Sequence, residues 1–135
     1  MISRSRVDAL LLALIVYSTA SLAHFGHNAA FSSAYPNLPE SLTPLRIMLA
    51  WLLEAAIGWT GYALTRSRFV RTGYVLLAFY AALGFDGFAH YALAPMSAHT
   101  LAMNASIWGE ALTGAALLLI VATRIFRRPH ESSPA

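Results

Sequence analysis

The chain has 135 residues, of which 58% are hydrophobic and only 11% charged, against about a quarter charged in soluble domains, so a soluble globular protein is excluded. Its formal charge of +3 comes from arginines in short clusters beside apolar runs, a pattern that sets membrane topology and does not fit a nucleic-acid surface. The absence of cysteine rules out disulfides, thiolate ligands and Fe–S clusters, which leaves His, carboxylate, amide and Met as donors for any metal.

The first apolar segment covers about residues 7–30. Arg4 and Arg6 followed by the run Leu10-Leu11-Leu12-Ala13-Leu14-Ile15-Val16 imitate a signal peptide. The apolar character continues past any small-residue cleavage point, so an uncleaved helix is expected. Residues 31–43 read as an outer loop, with Pro36, Asn37 and Pro39 as turn formers. Thr43 followed by Pro44 supplies an N-cap hydroxyl and a proline at the first helical position, which starts a second span over about 44–64. A short basic turn over 65–71 holds Arg66, Arg68 and Arg71. The third span runs over about 72–93 and stops at Pro95, which lacks an N–H and clashes with a preceding helical turn. The fourth covers about 99–125, ahead of a polar tail over 126–135.

Each span has the roughly 20 residues that cross about 30 Å of hydrocarbon. The expected fold is therefore an all-α integral membrane protein, a single domain built as a four-transmembrane-helix bundle. Arg4 and Arg6, Arg66 to Arg71, and Arg124 to Arg128 mark three chain ends on one side, so both termini are expected in the cytoplasm, with a bacterial inner membrane as the location. Arg46 is the exception on the other side; snorkelling or pairing with Glu40 would accommodate it. The tail residues His130 and Glu131 read as solvated.

With that topology the unusual polar residues collect in the outer half of the bilayer. His24, His27 and Asn28 lie at the outer end of the first span, Asp86 and His90 near that of the third, and His99 at the start of the fourth. Glu54 and Glu110 lie deeper in the second and fourth. Three of the six acids are thus within spans, where a charge is costly and by default marks a functional site. His24 and His27 are three residues apart and Asp86 and His90 four, and both spacings place side chains on one helix face. The expected metal ligands are His24, His27, Asp86, His90 and His99, and the expected acid–base residues Glu54, Asp86 and Glu110. A mixed His/carboxylate set suits Zn, Cu, Fe or Mn.

The order Asp86, His90, a short outer loop and His99 resembles the intramembrane copper-site motif in the C subunit of copper membrane monooxygenases. The resemblance covers Asp86 to His99, with a shorter second spacing, and implies a copper ligand set of those three residues. The four spans with Glu54, Tyr62 and Arg71 also resemble the sterol-isomerase and sigma-2-receptor type of membrane protein, which implies acids in a cavity within the bilayer.

The leading expectation is a metal-binding bundle that activates water or oxygen on a lipophilic substrate from the bilayer, or that handles a metal. Three alternatives stand beside it. His24 or His27 with His90 or His99 could ligate a b-type haem. Glu54, Asp86 and Glu110 could serve a cofactor-free lipid isomerase or binding protein. The polar groups could also hold a small subunit in a homo-oligomer or a larger membrane complex. Each residue has a structural reading too: Asp86 and His90 as an intrahelical pair, Glu54 and Glu110 as interhelical hydrogen-bond glue, and the tryptophans and tyrosines, Tyr35 among them, as packing and interfacial anchors.

Overall fold

Residues 8–127 are described by the computed structural model, and across them the chain is helical with no strand. Helix α1 (Ala9–Ala30) starts at Asp8, whose carboxylate accepts the Leu10 N–H at 3.1 Å. Helix α2 (Pro44–Thr65) starts as its sequence predicts, with Thr43 as N-cap and Pro44 in the first turn. Helix α5 (Leu101–Phe126) starts at Thr100, whose hydroxyl accepts the Met103 N–H. Four helices are long and apolar enough to cross a membrane, Ala9–Ala30, Pro44–Thr65, Val70–Leu93 and Leu101–Phe126. Arg4, Arg6, Arg128, His130 and Glu131 lie outside the described residues.

The third of these is not the continuous helix its hydropathy suggests. Helix α3 (Val70–Leu83) ends at Gly84, a 3₁₀ turn covers Asp86–Phe88, and the short α4 (Ala89–Leu93) follows. At the break the Gly84 N–H turns to the Ala81 carbonyl at 3.3 Å, which frees the carbonyl of Tyr80 one residue earlier. A freed carbonyl buried inside an apolar helix bundle needs a partner from a neighbouring helix. The Tyr17 hydroxyl supplies it, donating to Tyr80 O at 3.0 Å.

Packing follows the small residues. In lipid no water is released when helices associate, so close backbone approach and interhelical hydrogen bonds hold a bundle together. Helices α2 and α3 meet through Gly61 and Gly73, where a methyl on Gly73 would lie 2.7 Å from the Gly61 carbonyl. Helix α5 meets the break in the third span through Gly114, where a methyl would lie 2.8 Å from the Ala81 carbonyl. Tyr17, Leu77, Tyr80, Ala81, Leu117 and Val121 fill the core between α1, α3 and α5. The outward faces carry large apolar side chains, with Leu45 68%, Leu53 66% and Leu119 65% exposed, far more than water tolerates in one belt.

At one end of the bundle, Asp8 pairs with Arg66 and with Arg124, the latter at 2.8 Å, so α1, α2 and α5 are clasped together beside the basic turn. At the opposite end the 31–43 loop folds back over the bundle. Its Asn37, at a φ of 57° that asparagine tolerates well, donates to the Leu93 carbonyl at 2.8 Å. Arg46 does not pair with Glu40. Its guanidinium donates instead to the Ser41 carbonyl at 2.8 Å, a partner that its own loop carries within reach.

Candidate functional site

The site occupies the end of the bundle away from the Asp8 clasp, where the break in the third span sets its shape. Gly87 in the 3₁₀ turn presents a bare Cα to α1 and α5. A methyl there would lie 3.4 Å from His24 Nε2 and 3.6 Å from Glu110 Oε2. These two groups stand 3.7 Å apart across the helix interface, and Gly87 packs beside them at distances where a methyl would make only ordinary contact. Both are buried, His24 at 2% and Glu110 at 0% exposure.

Hydrogen-bond partners assign the ring protons. The Ser106 hydroxyl donates to the Met103 carbonyl at 2.9 Å, so it accepts from His24 Nδ1 at 3.1 Å. A neutral His24 then carries its proton on Nδ1 and turns a bare Nε2 toward Glu110. One proton, on the carboxyl or on the imidazole, would bridge the pair once it closes to hydrogen-bond distance. His99 is assigned in the same way: its Nδ1 lies 3.1 Å from the Pro95 carbonyl, which only accepts, so Nε2 is bare. That nitrogen is buried and has no partner. His90 Nε2 lies 3.1 Å from Asn28 Nδ2, and its Nδ1 is buried without a partner.

The rings of His24, His90 and His99 form a row, with centroids 5.6 Å apart for the first pair and 6.1 Å for the second. Tyr35 covers the row. Its ring lies 4.8 Å from that of His90, and its hydroxyl is 2.8 Å from His27 Nδ1. Burial raises the pKa of the Tyr35 phenol and the neighbouring Ser106 hydroxyl lowers it, with a net rise, so the group remains a neutral hydroxyl.

A cavity of about 290 Å³ opens between α1, α2 and the broken third span, with the 31–43 loop at its mouth. Its walls are mostly apolar, formed by residues such as Phe25, Leu42, Ile47 and Leu93. Into them are set His24, Asn28, Arg46, Glu54, Asp86 and His90. Glu54 Oε2 is buried and has no hydrogen-bond partner, whereas Asp86 is exposed at the cavity's edge.

The expected residues therefore converge, but not in the expected pairs. His24 and His27 grip no common point, because His24 turns to α5 while His27 turns to the loop tyrosine. Asp86 and His90 form no ion pair with each other; the 3₁₀ turn between them replaces the helical repeat that would align their side chains. His99 precedes α5 in extended backbone, so the helical register that would align it with Glu110 does not apply. Among the described residues no three His, Asp or Glu side chains stand together as a metal-binding group. Tyr35 and Ser106 are the contributors that sequence reasoning missed. Ser106 was findable as the residue one turn before Glu110 on the same face; nothing local separates Tyr35 from an interfacial anchor. No protein-family model matches this chain, and no curated protein or solved structure is detectably similar to it.

Proposed function

We propose that this chain is an integral protein of a bacterial inner membrane, with four spans and both termini cytoplasmic. In this reading the cavity takes a small lipophilic molecule from the bilayer and moves a proton on it. The observation that carries the reading is the cavity itself: an apolar pocket with a few inward polar groups is the general form of a small-molecule site. Here an acceptor with no partner, Glu54, and an imidazole, His90, line the same space. With the Asn28 amide donating to Nε2, His90 Nδ1 carries a hydrogen and can polarise an oxygen of the bound molecule. Glu54 takes a proton from the adjacent carbon, and the same proton returned at a second position completes an isomerisation without net change.

Two measurements test this reading. Protein purified in mild detergent is expected to retain a small molecule from a lipid extract in native mass spectrometry, and Ala50→Trp, which fills the cavity, to lose it at unchanged melting temperature. The retained molecule is expected to gain solvent deuterium on wild-type protein but not on Glu54→Gln. Retention that survives Ala50→Trp, or deuterium gain that survives Glu54→Gln, would sink the idea.

A second reading, a transition-metal site on His90 and His99, is favoured by one observation. A metal-binding imidazole typically donates its other N–H to a carbonyl or carboxylate, and His99 does so to Pro95 while its buried Nε2 has no partner. This reading needs the Asn28 amide reversed, so that His90 Nε2 donates and Nδ1 is bare; the two amide orientations are chemically equivalent choices. Stoichiometric metal lost in His99→Ala would establish it, a Soret band would assign haem b instead, and metal-free protein with His90 protonated on Nδ1 would remove it.

A further inference from the structure

A chain of polar side chains runs from the loop end of the bundle to its most buried acid. His27 is half-buried near the end of α1, and its Nδ1 is 2.8 Å from the Tyr35 hydroxyl. That hydroxyl neighbours the Ser106 hydroxyl. Ser106 in turn is 3.1 Å from His24 Nδ1, and His24 Nε2 faces Glu110 at 3.7 Å. Each member except the terminal carboxyl has both a site that can take a proton and one that can give it up. The last gap exceeds the 2.7–3.2 Å of an N–H···O bond by about half an ångström, a distance that rotamer motion closes. Glu110 itself has no formed hydrogen bond through either oxygen and no exposure to solvent, so any proton it gains or loses must come through its polar neighbours, His24 and the Ser21 hydroxyl. Ser21 has no hydrogen-bond partner that would carry a proton further.

We infer that His27, Tyr35, Ser106 and His24 form a proton path connecting the loop-side surface of the bundle to the Glu110 carboxyl. The step is pure proton transfer and no bond to carbon changes. With His24 protonated on Nδ1, the Glu110 carboxyl gives its proton to the bare Nε2 as Nδ1 releases one to Ser106, Ser106 one to Tyr35 and Tyr35 one to His27. The return transfer runs through the opposite His24 tautomer that this leaves. Ser106 takes part by rotating its O–H from the Met103 carbonyl toward Tyr35. His24 is the junction, since it both contacts Glu110 and lines the cavity. The path's purpose, restoring the site's protonation state after each turnover, rests on the acid–base reading above. Its existence does not require a bound ligand.

Infrared difference spectroscopy on the purified, ligand-free full chain provides the test. The carboxyl C=O band of Glu110 is identified by its loss in Glu110→Gln, and its hydrogen–deuterium exchange is timed after transfer to D2O. Tyr35→Phe and Ser106→Ala are each expected to slow exchange on the order of tenfold, the effect of adding about 1.4 kcal/mol to the barrier by removing one link. Ser106→Thr, which keeps the hydroxyl, is expected to restore the rate. Tyr91→Phe removes another hydroxyl at the same end, bonded to Asn104 at 2.9 Å and outside the path, and is expected to leave the rate unchanged. Wild-type exchange rates in both Tyr35→Phe and Ser106→Ala would overturn the path. So would equal slowing by Tyr91→Phe, which would indicate general loosening, or the absence of any C=O band lost in Glu110→Gln. None of these outcomes bears on ligand retention at Glu54, so the path and the cavity reading fail separately.

Discussion

Gly114 and Gly109 lie five residues apart on α5, and replacing each with alanine isolates the packing that positions the site. A Cβ at Gly114 would stand 2.8 Å from the Ala81 carbonyl and 3.3 Å from both the Gly84 Cα and the Tyr17 ring, whereas a Cβ at Gly109 meets nothing within 4 Å. Ordinary contact begins near 3.4 Å, so Gly114→Ala must push α5 from the third span by about 0.6 Å against backbone, which cannot rotate away as a side chain can. Overpacking of this kind costs about 1–3 kcal/mol. Both substitutions share the gain of up to about 1 kcal/mol from replacing glycine in a helix, so their difference reads the packing cost alone. Reversible unfolding in mixed SDS micelles, followed by far-UV circular dichroism, is expected to show Gly109→Ala at or above wild-type stability and Gly114→Ala below it by the difference. Glu110 sits one turn from Gly114 on α5, so the same displacement lengthens the His24 contact, and Gly114→Ala is expected to alter the Glu110 C=O band where Gly109→Ala does not. Equal stability of the two variants would refute the close approach of α5 to the break.

Tyr17→Phe leaves the Tyr80 carbonyl unpaired at the break and is expected to cost about 0.6 kcal/mol, the average for interhelical hydrogen bonds in membranes, and at most about 1.7 kcal/mol; an unchanged unfolding midpoint would mean another donor reaches that carbonyl. Asp8→Asn keeps an N-cap side chain but loses the charge facing Arg66 and Arg124, for up to about 1 kcal/mol in so exposed a cluster, while Asp8→Ala is expected to cost a further 0.5–2 kcal/mol, roughly, through the cap. Burial would raise the Asp8 pKa, but hydrogen bonds from Arg124 and the Leu10 N–H outweigh it and hold the carboxyl below the usual range. Its contribution is therefore complete above the unfolded-state value and lost as pH falls through the depressed folded one, and acid unfolding of Asp8→Asn should lack that component. For the topology, alkaline phosphatase fused at the C-terminus is expected to be inactive; an active fusion would reverse the assignment of the two ends.

The spans were legible in the sequence because their formation is local: twenty apolar residues repay transfer into hydrocarbon wherever the helix lies, and the Thr43–Pro44 and Pro95 signals act on their own turns. The same reasoning passed over Asp8, whose clasp depends on Arg66 and Arg124 arriving from 58 and 116 residues away. The gathering of His24, Glu54, Asp86, His90 and Glu110 toward one end of the bundle could also be anticipated, since depth along a helix follows from counting residues. Which of them face one another could not. Azimuth around a helix axis is fixed by neighbouring helices, here by glycine contacts at 61, 73 and 114, and a single 3₁₀ turn at Asp86–Phe88 breaks any spacing rule carried across it. Tertiary structure alone therefore turned His24 toward Glu110 and Ser106 and opened the cavity beside Glu54, because each of these contacts joins segments that sequence order keeps far apart, and the fold of the 31–43 loop over the bundle sent His27 to Tyr35.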